Sequence, residues 1–115
     1  MAKKERIYDV SINHAEGTAE NELFKKMLKK GDVASEKIKD VVGAIFTVTG
    51  IASVTIKTED NNFDLYYYIT DCGIFTSGSE IFYESVTDYY GEVDKVKVVE
   101  IKTKKGTTYK AVPIF

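Results

Sequence analysis

The chain of 115 residues contains one cysteine, one histidine and one proline. Because Cys72 is alone, an intrachain disulfide and a thiolate metal cluster within one chain are excluded. His14 lies far from Cys72 in the sequence, so neither a zinc site nor a Cys/His catalytic pair is supported. We therefore expect no metal, no cofactor and no enzymatic activity, and we interpret Cys72 as a buried, inert thiol.

Long apolar runs are also missing. No segment approaches the roughly 18 apolar residues of a membrane-spanning helix. The opening residues, MAKKERIYDV, carry charges that no apolar segment follows, unlike a secretory signal. With 43% hydrophobic and 30% charged residues, the chain is typical of a soluble globular domain, which we expect in the cytoplasm.

The charge is unevenly distributed along the chain. A net charge of −2 argues against a protein that coats nucleic acid through its total charge. Binding depends on where the lysines lie rather than on their sum. Acids dominate residues 80–94, whereas residues 95–110 contain six lysines and a single acid, Glu100. This segregation predicts one acidic face and one basic face.

The N-terminal third combines two patterns. Apolar residues between Ile7 and Ile12 indicate a short strand, and Thr18–Lys30 has the spacing of an amphipathic helix that ends at Gly31. We interpret residues 1–37 as an extension and residues 38–115 as the main β-rich part of one compact domain.

Two strands follow. Phe46, Val48, Val54 and Ile56 share one parity, and Gly50 between them indicates a bulge or bend, so we expect one long strand serving both halves of a small barrel. In the next strand, Phe63, Leu65, Tyr67 and Ile69 form the more apolar set and are expected to face the core.

That parity places Tyr66 and Tyr68 on the outer face, where two neighbouring rings would form a stacking platform for bases. Two alternatives remain open at this stage. Another segment covers the rings, or the register is inverted.

A brief strand at Ile74–Thr76 precedes a predicted helix. Ser77 and Glu80 have the spacing of a capping box, and Gly91 is expected to end the helix. Its apolar side comprises Ile81, Phe82, Val86, Tyr89 and Tyr90.

Residues 95–115 predict a β-hairpin around the turn Lys104-Lys105-Gly106-Thr107. We expect a bulge near Val98 and Val99 that turns both neighbouring apolar pairs inward, with Val112 and Ile114 completing the inner face. Pro113 indicates an edge position or a strand end. Lysines flank Tyr109, a combination found in single-stranded nucleic-acid binders. A solvated edge hairpin whose lysines prevent aggregation is the alternative.

The order of strands, with a helix between the third and fourth, predicts a five-stranded Greek-key barrel, the OB-fold. From about Ile38 onward the chain resembles the small single-stranded DNA-binding proteins encoded by bacteriophages. The resemblance rests on VVGAIFTVTG, GIFTSGSEIFYESV and KVKVVEIKTKKGTTYKAVPI. It implies an OB-fold and a role in phage DNA replication or recombination, within the cytoplasm of the host bacterium.

Sequence-tolerant binding of single-stranded DNA is therefore the expected function. Two tyrosines are expected to stack on bases, a third to stack or to brace the hairpin, and five lysines to contact phosphates. In this order the candidate residues are Tyr66, Tyr68, Tyr109, Lys57, Lys102, Lys104, Lys105 and Lys110. Replication proteins are further candidate partners. Bacterial single-stranded DNA-binding proteins recruit such partners through an acidic tail that ends in an apolar pair, whereas no acidic run precedes Ile114-Phe115 here. DNA or RNA preference, site size and oligomeric state, including a homodimer, stay open.

Two other function classes remain. A protein-interaction module, such as a phage protein that docks on and inhibits a host protein, would use Tyr66, Tyr68, Tyr89 and Tyr90 as a binding patch. A small nucleic-acid enzyme would need the acids that bracket the tyrosine strand, which are better explained as turn residues. These acids are Glu59, Asp60, Asp64 and Asp71.

Overall fold

The computed structural model of the protein describes residues 9–17, 35–57 and 61–114, with side chains described from residue 11. The helix predicted over Thr18–Lys30 lies outside the described residues, as do Glu59 and Asp60. The described part is mostly β.

Its strands are β1 (Asp9–Gly17), β2 (Glu36–Lys37), β3 (Ile45–Phe46), β4 (Val48–Lys57), β5 (Asn62–Thr70), β6 (Gly73–Ser77), β7 (Lys95–Thr103) and β8 (Gly106–Ile114). A 3-10 turn spans Ile38–Asp40, and helix α1 spans Glu80–Tyr89, between β6 and β7 in the chain.

The strands form two sheets. The larger sheet has the order β1-β4-β5-β6-β2, and the smaller sheet has the order β3-β7-β8. All neighbours are antiparallel except β2 and β6, which run parallel. Among the described strands, no ladder joins β6 to β8, so the two sheets are not closed into one ring.

One segment, residues 45–57, belongs to both sheets. Its first part, β3, pairs with β7, and its second part, β4, pairs with β1 and β5. The register shifts between Val48 and Gly50, where the segment passes from one sheet to the other. Gly17 lies opposite Gly50, and a Cβ on Gly17 would be 2.5 Å from the Gly50 Cα, so this crossing requires glycine. The predicted long strand shared by two halves is confirmed in this respect.

The N-cap of helix α1 lies two residues later than predicted. The Ser79 hydroxyl, rather than that of Ser77, accepts the N–H of Phe82 at 3.1 Å. Ser77 accepts the N–H of Ser79 instead. The predicted stop is confirmed, because Gly91 follows the helix with a φ of +79°.

The helix covers the free edge of β8. Buried Ser85 donates its hydroxyl to the Phe82 carbonyl at 2.7 Å and accepts the N–H of Ala111 at 2.9 Å. One side chain thus satisfies a backbone donor that would otherwise be buried without a partner.

The β7–β8 hairpin is regular from Lys95 opposite Ile114 to Thr103 opposite Gly106. The predicted bulge near Val98 and Val99 is therefore wrong. Val98 faces the core opposite Ala111, while Val99 lies on the other face opposite Lys110. By the same alternation Val112 and Ile114 are not on the inner face, and both are only half-buried. Because the pairing is unbroken, the two-residue alternation puts only one residue of each neighbouring pair on the inner face. Pro113 lies near the end of an edge strand, as predicted.

The prediction for β5 is inverted. Tyr66 is 9% exposed and Tyr68 is 0% exposed, and both belong to the main core under α1. The Tyr66 ring stacks on Tyr83 with centroids 4.3 Å apart, and the Tyr68 ring meets Phe82 edge-on at 5.2 Å. Neither ring is available for stacking on bases.

The opposite face of β5 is also apolar, which explains the inversion. Leu65, Tyr67 and Ile69 pack against a second buried cluster on β4, formed by Ala52, Val54 and Ile56. Because β5 is a central strand with apolar partners on both faces, its alternation does not identify the core side.

Cys72 also differs from its prediction. It lies in the turn between β5 and β6, where its side chain is exposed. Partial desolvation and the adjacent Asp71 carboxylate raise the pKa of its thiol.

Candidate functional site

A cavity of about 350 Å³ opens where β6 ends, between the larger sheet and β8. Three segments line it together with Leu65: the β2–3-10 corner, the β6–α1 connection and the start of β8. The lining residues are Lys37, Ile38, Lys39, Leu65, Thr76, Ser77, Gly78, Ser79, Thr107, Thr108 and Tyr109.

The β2–3-10 corner supplies the cationic wall. Pairing of Lys37 with Thr76 of β6 fixes the position of the corner on the sheet. Ile38 then turns inward and is 1% exposed, which leaves Lys37 and Lys39 exposed on either side of it. Burial of one isoleucine thus places two exposed lysines at one cavity wall.

The β6–α1 connection supplies hydroxyl groups and the positive end of a helix dipole. The Ser79 hydroxyl lies 3.3 Å from that of Thr108, in addition to capping α1. This contact joins the helix start to β8 across the cavity. The first turn of α1 carries positive partial charge, which favours an anion nearby.

Tyr109 supplies the aromatic wall. It is half-buried and packs against the main core while lining the cavity. Among the described residues its hydroxyl has no hydrogen-bond partner. Glu100 lies directly opposite Tyr109 in the β7–β8 ladder, and its carboxylate is the nearest negative charge on that face of the hairpin by register.

The five predicted lysines are not all on one side. Lys102 shares the face of Tyr109 by alternation, and Lys104 and Lys105 form the exposed hairpin turn. Lys110 points to the opposite face from its neighbour Tyr109, since successive strand residues alternate. Lys57 lies at the end of β4, opposite Asn62 in the larger sheet, and is not a lining residue of the cavity.

The lysines around the cavity form no ion pair with any described carboxylate. In the described part of the chain the one ion pair joins His14 to Glu16, so these lysines have no carboxylate within 4.0 Å. None of the acidic residues that the structure describes lines the cavity. The acidic side lies instead around Tyr66, where burial and then the Glu80 and Asp64 carboxylates raise the pKa of the phenol.

The residues of the two alternative functions have structural partners. The Tyr90 hydroxyl donates to the Thr49 carbonyl at 3.3 Å, and Tyr89 packs against the core. With Tyr66 and Tyr68 buried, the predicted tyrosine patch does not form on the surface. Asp64 accepts the Thr55 hydroxyl at 2.7 Å, and Asp71 accepts the Thr47 N–H at 2.9 Å. The latter bond holds the pKa of Asp71 below its usual value.

Sequence reasoning missed Lys37 and Lys39, which are not among the candidate binding residues named from the sequence. The alternation Lys37-Ile38-Lys39 was the available signal, since a single isoleucine between two lysines indicates a buried anchor with exposed charges on both sides. Their meeting with Tyr109 depends on the parallel pairing of β2 with β6, which spans about forty residues of chain.

Comparisons with protein-family models, with curated proteins and with solved structures find no match to this chain. In the part of the chain that the structure describes, α1 is too short to cross a membrane, and no other helix there meets the requirement.

Proposed function

We propose that the protein binds single-stranded DNA without strong sequence preference, along the cleft that runs from the cavity to the tip of the β7–β8 hairpin. The observation that carries this proposal is that Tyr109 shares a cavity with two lysines, and that within residues 9–17, 35–57 and 61–114 these lysines have no carboxylate partner and no acid lines the cavity. A flat ring beside a cationic track is the arrangement that sequence-tolerant binders of single strands use.

The roles of the residues differ from those expected from the sequence. Tyr109 stacks on a base, and Lys102, Lys104 and Lys105 contact phosphates together with Lys37 and Lys39. Tyr66 and Tyr68 support the fold beneath α1. Lys57 and Lys110 lie off this path and contribute at most long-range attraction, which salt screens.

The proposal also assigns the chain a fold, the OB-fold. The segment 45–57 belongs to both sheets, as the first strand of such a barrel does. The cleft begins between the end of β6 and the start of β8. Together with the resemblance to phage single-stranded DNA-binding proteins, this favours a non-enzymatic role in phage DNA replication or recombination, in the host cytoplasm and beside replication proteins.

A titration of fluorescent oligothymidylate, followed by anisotropy at low and high salt, tests the proposal. We expect saturable binding at micromolar protein or below in low salt, and a large loss of affinity in high salt because bound phosphates release counterions. A duplex of the same length should bind more weakly, because paired bases cannot stack on Tyr109. Equal affinity for duplex and single strand would contradict the proposed role of that ring.

A protein-docking role is the second candidate. It is favoured by two neighbouring exposed apolar side chains, Val42 and Ile45, which are 44% and 46% exposed. Absence of oligothymidylate binding in low salt would favour this role over DNA binding.

A further inference from the structure

The cavity has the size and chemistry of a site for one nucleotide. Its volume of about 350 Å³ lies within the range of small-ligand pockets and far exceeds that of a single ion. A surface that contacted only the phosphates of a bound strand would not need a cavity of this volume. The cavity therefore has room for a ligand that carries a ring system as well as a charged group.

The walls separate into an apolar part and a cationic part. Leu65 and the ring of Tyr109, both half-buried, offer apolar surface, while Ile38 closes the cavity from beneath. Lys37 and Lys39 carry the charge, and both are exposed at the same corner. An aromatic base beside Tyr109 would leave its phosphate within the field of the two lysines.

Polar groups inside the cavity remain free for the ligand. In the described part of the chain neither the Thr107 hydroxyl nor the Tyr109 hydroxyl has a hydrogen-bond partner. Hydroxyls can donate to or accept from the edge of any base, so they provide hydrogen bonds without selecting one base. Since no acid among the described residues lines the cavity, none of them repels a phosphate there at close range.

We propose that this cavity binds one deoxynucleoside monophosphate unit, with the base against Tyr109 and the phosphate held by Lys37 and Lys39. The inference rests on the proposed function insofar as the unit belongs to a bound strand. It also makes a separate claim, because a free mononucleotide should occupy the same cavity.

The test uses the full chain and three probes at equal ionic strength: dTMP, thymidine and inorganic phosphate. Dissociation constants come from titrations, and saturation-transfer NMR identifies which ligand protons touch the protein. We expect dTMP to bind at least about tenfold more tightly than either fragment, because base and phosphate contacts act together. Saturation transfer should be strongest at the thymine methyl group and H6.

Replacing both cavity lysines, as Lys37→Ala with Lys39→Ala, should weaken dTMP about tenfold or more, since charge-assisted bonds to phosphate are lost. The matched control is Lys95→Ala with Lys97→Ala, which removes the same charge from the far end of the hairpin and should change dTMP affinity less than twofold. Both lysines of the first pair are exposed, so the variant should fold, and its thermal unfolding verifies this.

Several results would overturn the inference: no saturable dTMP binding, equal affinity for dTMP and phosphate, absence of transfer to the base, or equal losses in the two double variants. If dTMP fails while oligothymidylate binds in a salt-dependent manner, the nucleotide cavity is wrong and strand binding stands. If dTMP binds as described while oligothymidylate does not, strand binding is wrong and the cavity is a site for a free nucleotide.

Discussion

The hairpin turn offers the sharpest test of where the phosphates lie. Lys104 and Lys105 are exposed, and their side chains make no ion pair in the described part of the chain. The bonds that stabilise the turn use the Thr103 hydroxyl, which donates to the Gly106 carbonyl and accepts the Lys105 backbone N–H. Replacing both lysines by alanine should therefore leave the turn intact and remove only charge.

The magnitude follows from the lysines along the cleft: Lys37, Lys39, Lys102, Lys104 and Lys105. If each neutralises one phosphate, the slope of log affinity against log salt is about −3.5, at roughly −0.7 per phosphate on a single strand. Raising salt from about 50 to about 200 mM should then weaken wild-type binding about 130-fold. The double variant should have a slope of about −2.1 and lose only about 18-fold.

The control for this experiment lies on the same hairpin. Lys95→Ala with Lys97→Ala removes two charges at the opposite end, with Lys95 about 26 Å along the strand from Thr103 at about 3.3 Å per residue. Oligothymidylate anisotropy over a salt series should give the control variant a nearly wild-type slope. Equal slopes for the two double variants, or an unchanged slope for Lys104→Ala with Lys105→Ala, would refute the assignment of phosphate contacts to the hairpin turn.

Three predictions concern stability. Ser85→Ala should lower the free energy of unfolding, measured in urea, by about 1–3 kcal/mol because a buried backbone N–H loses its acceptor. The control is Thr87→Ala, which removes an exposed hydrogen bond in α1 and should change the free energy of unfolding by less than about 0.5 kcal/mol. Similar losses in the two variants would contradict the role of Ser85. Tyr68→Phe should raise the free energy of unfolding by about 1 kcal/mol and leave DNA affinity unchanged, because the buried hydroxyl has no partner among the described residues. A loss of stability or of DNA affinity would contradict this prediction. The lowered pKa of Asp71 stabilises the folded state above pH 3.8, and this contribution disappears as pH falls through the lower folded-state pKa. Asp71→Asn should therefore flatten the acid side of the thermal stability profile, and an unchanged profile would contradict the bond to Thr47.

The sequence predicted the elements whose signals are local. The hairpin turn, the stop of α1 at Gly91 and the edge position of Pro113 each follow from one or two residues with restricted conformations. The long strand across Gly50 was also predictable, because a glycine interrupts otherwise continuous β-formers.

The orientation of β5 could not be predicted by the same means. Tyrosine is both aromatic and polar, so Tyr66 and Tyr68 were assigned to the less apolar face. Their rings are buried because Tyr83 and Phe82 of α1 pack on them. This packing depends on where a helix more than ten residues away docks, which strand periodicity does not report.

The candidate site, too, could be predicted only where its residues follow a local sequence pattern. Tyr109 and the lysines of the hairpin turn were identified from their local pattern. Lys37 and Lys39 reach the cavity only through the pairing of β2 with β6 and the burial of Ile38. Nonlocal pairing therefore determined the part of the site that the sequence did not reveal.

Chemical-shift mapping with oligothymidylate on ¹⁵N-labelled full chain tests the central claim most directly. Binding in the proposed cleft predicts that the largest amide shifts cluster at residues 37–39, 77–79 and 102–109, with small shifts in β1 and at the β7 start. The absence of shifts in low salt, or a cluster confined to β1 or to the region of Tyr89 and Tyr90, would contradict the proposal that this cleft binds single-stranded DNA.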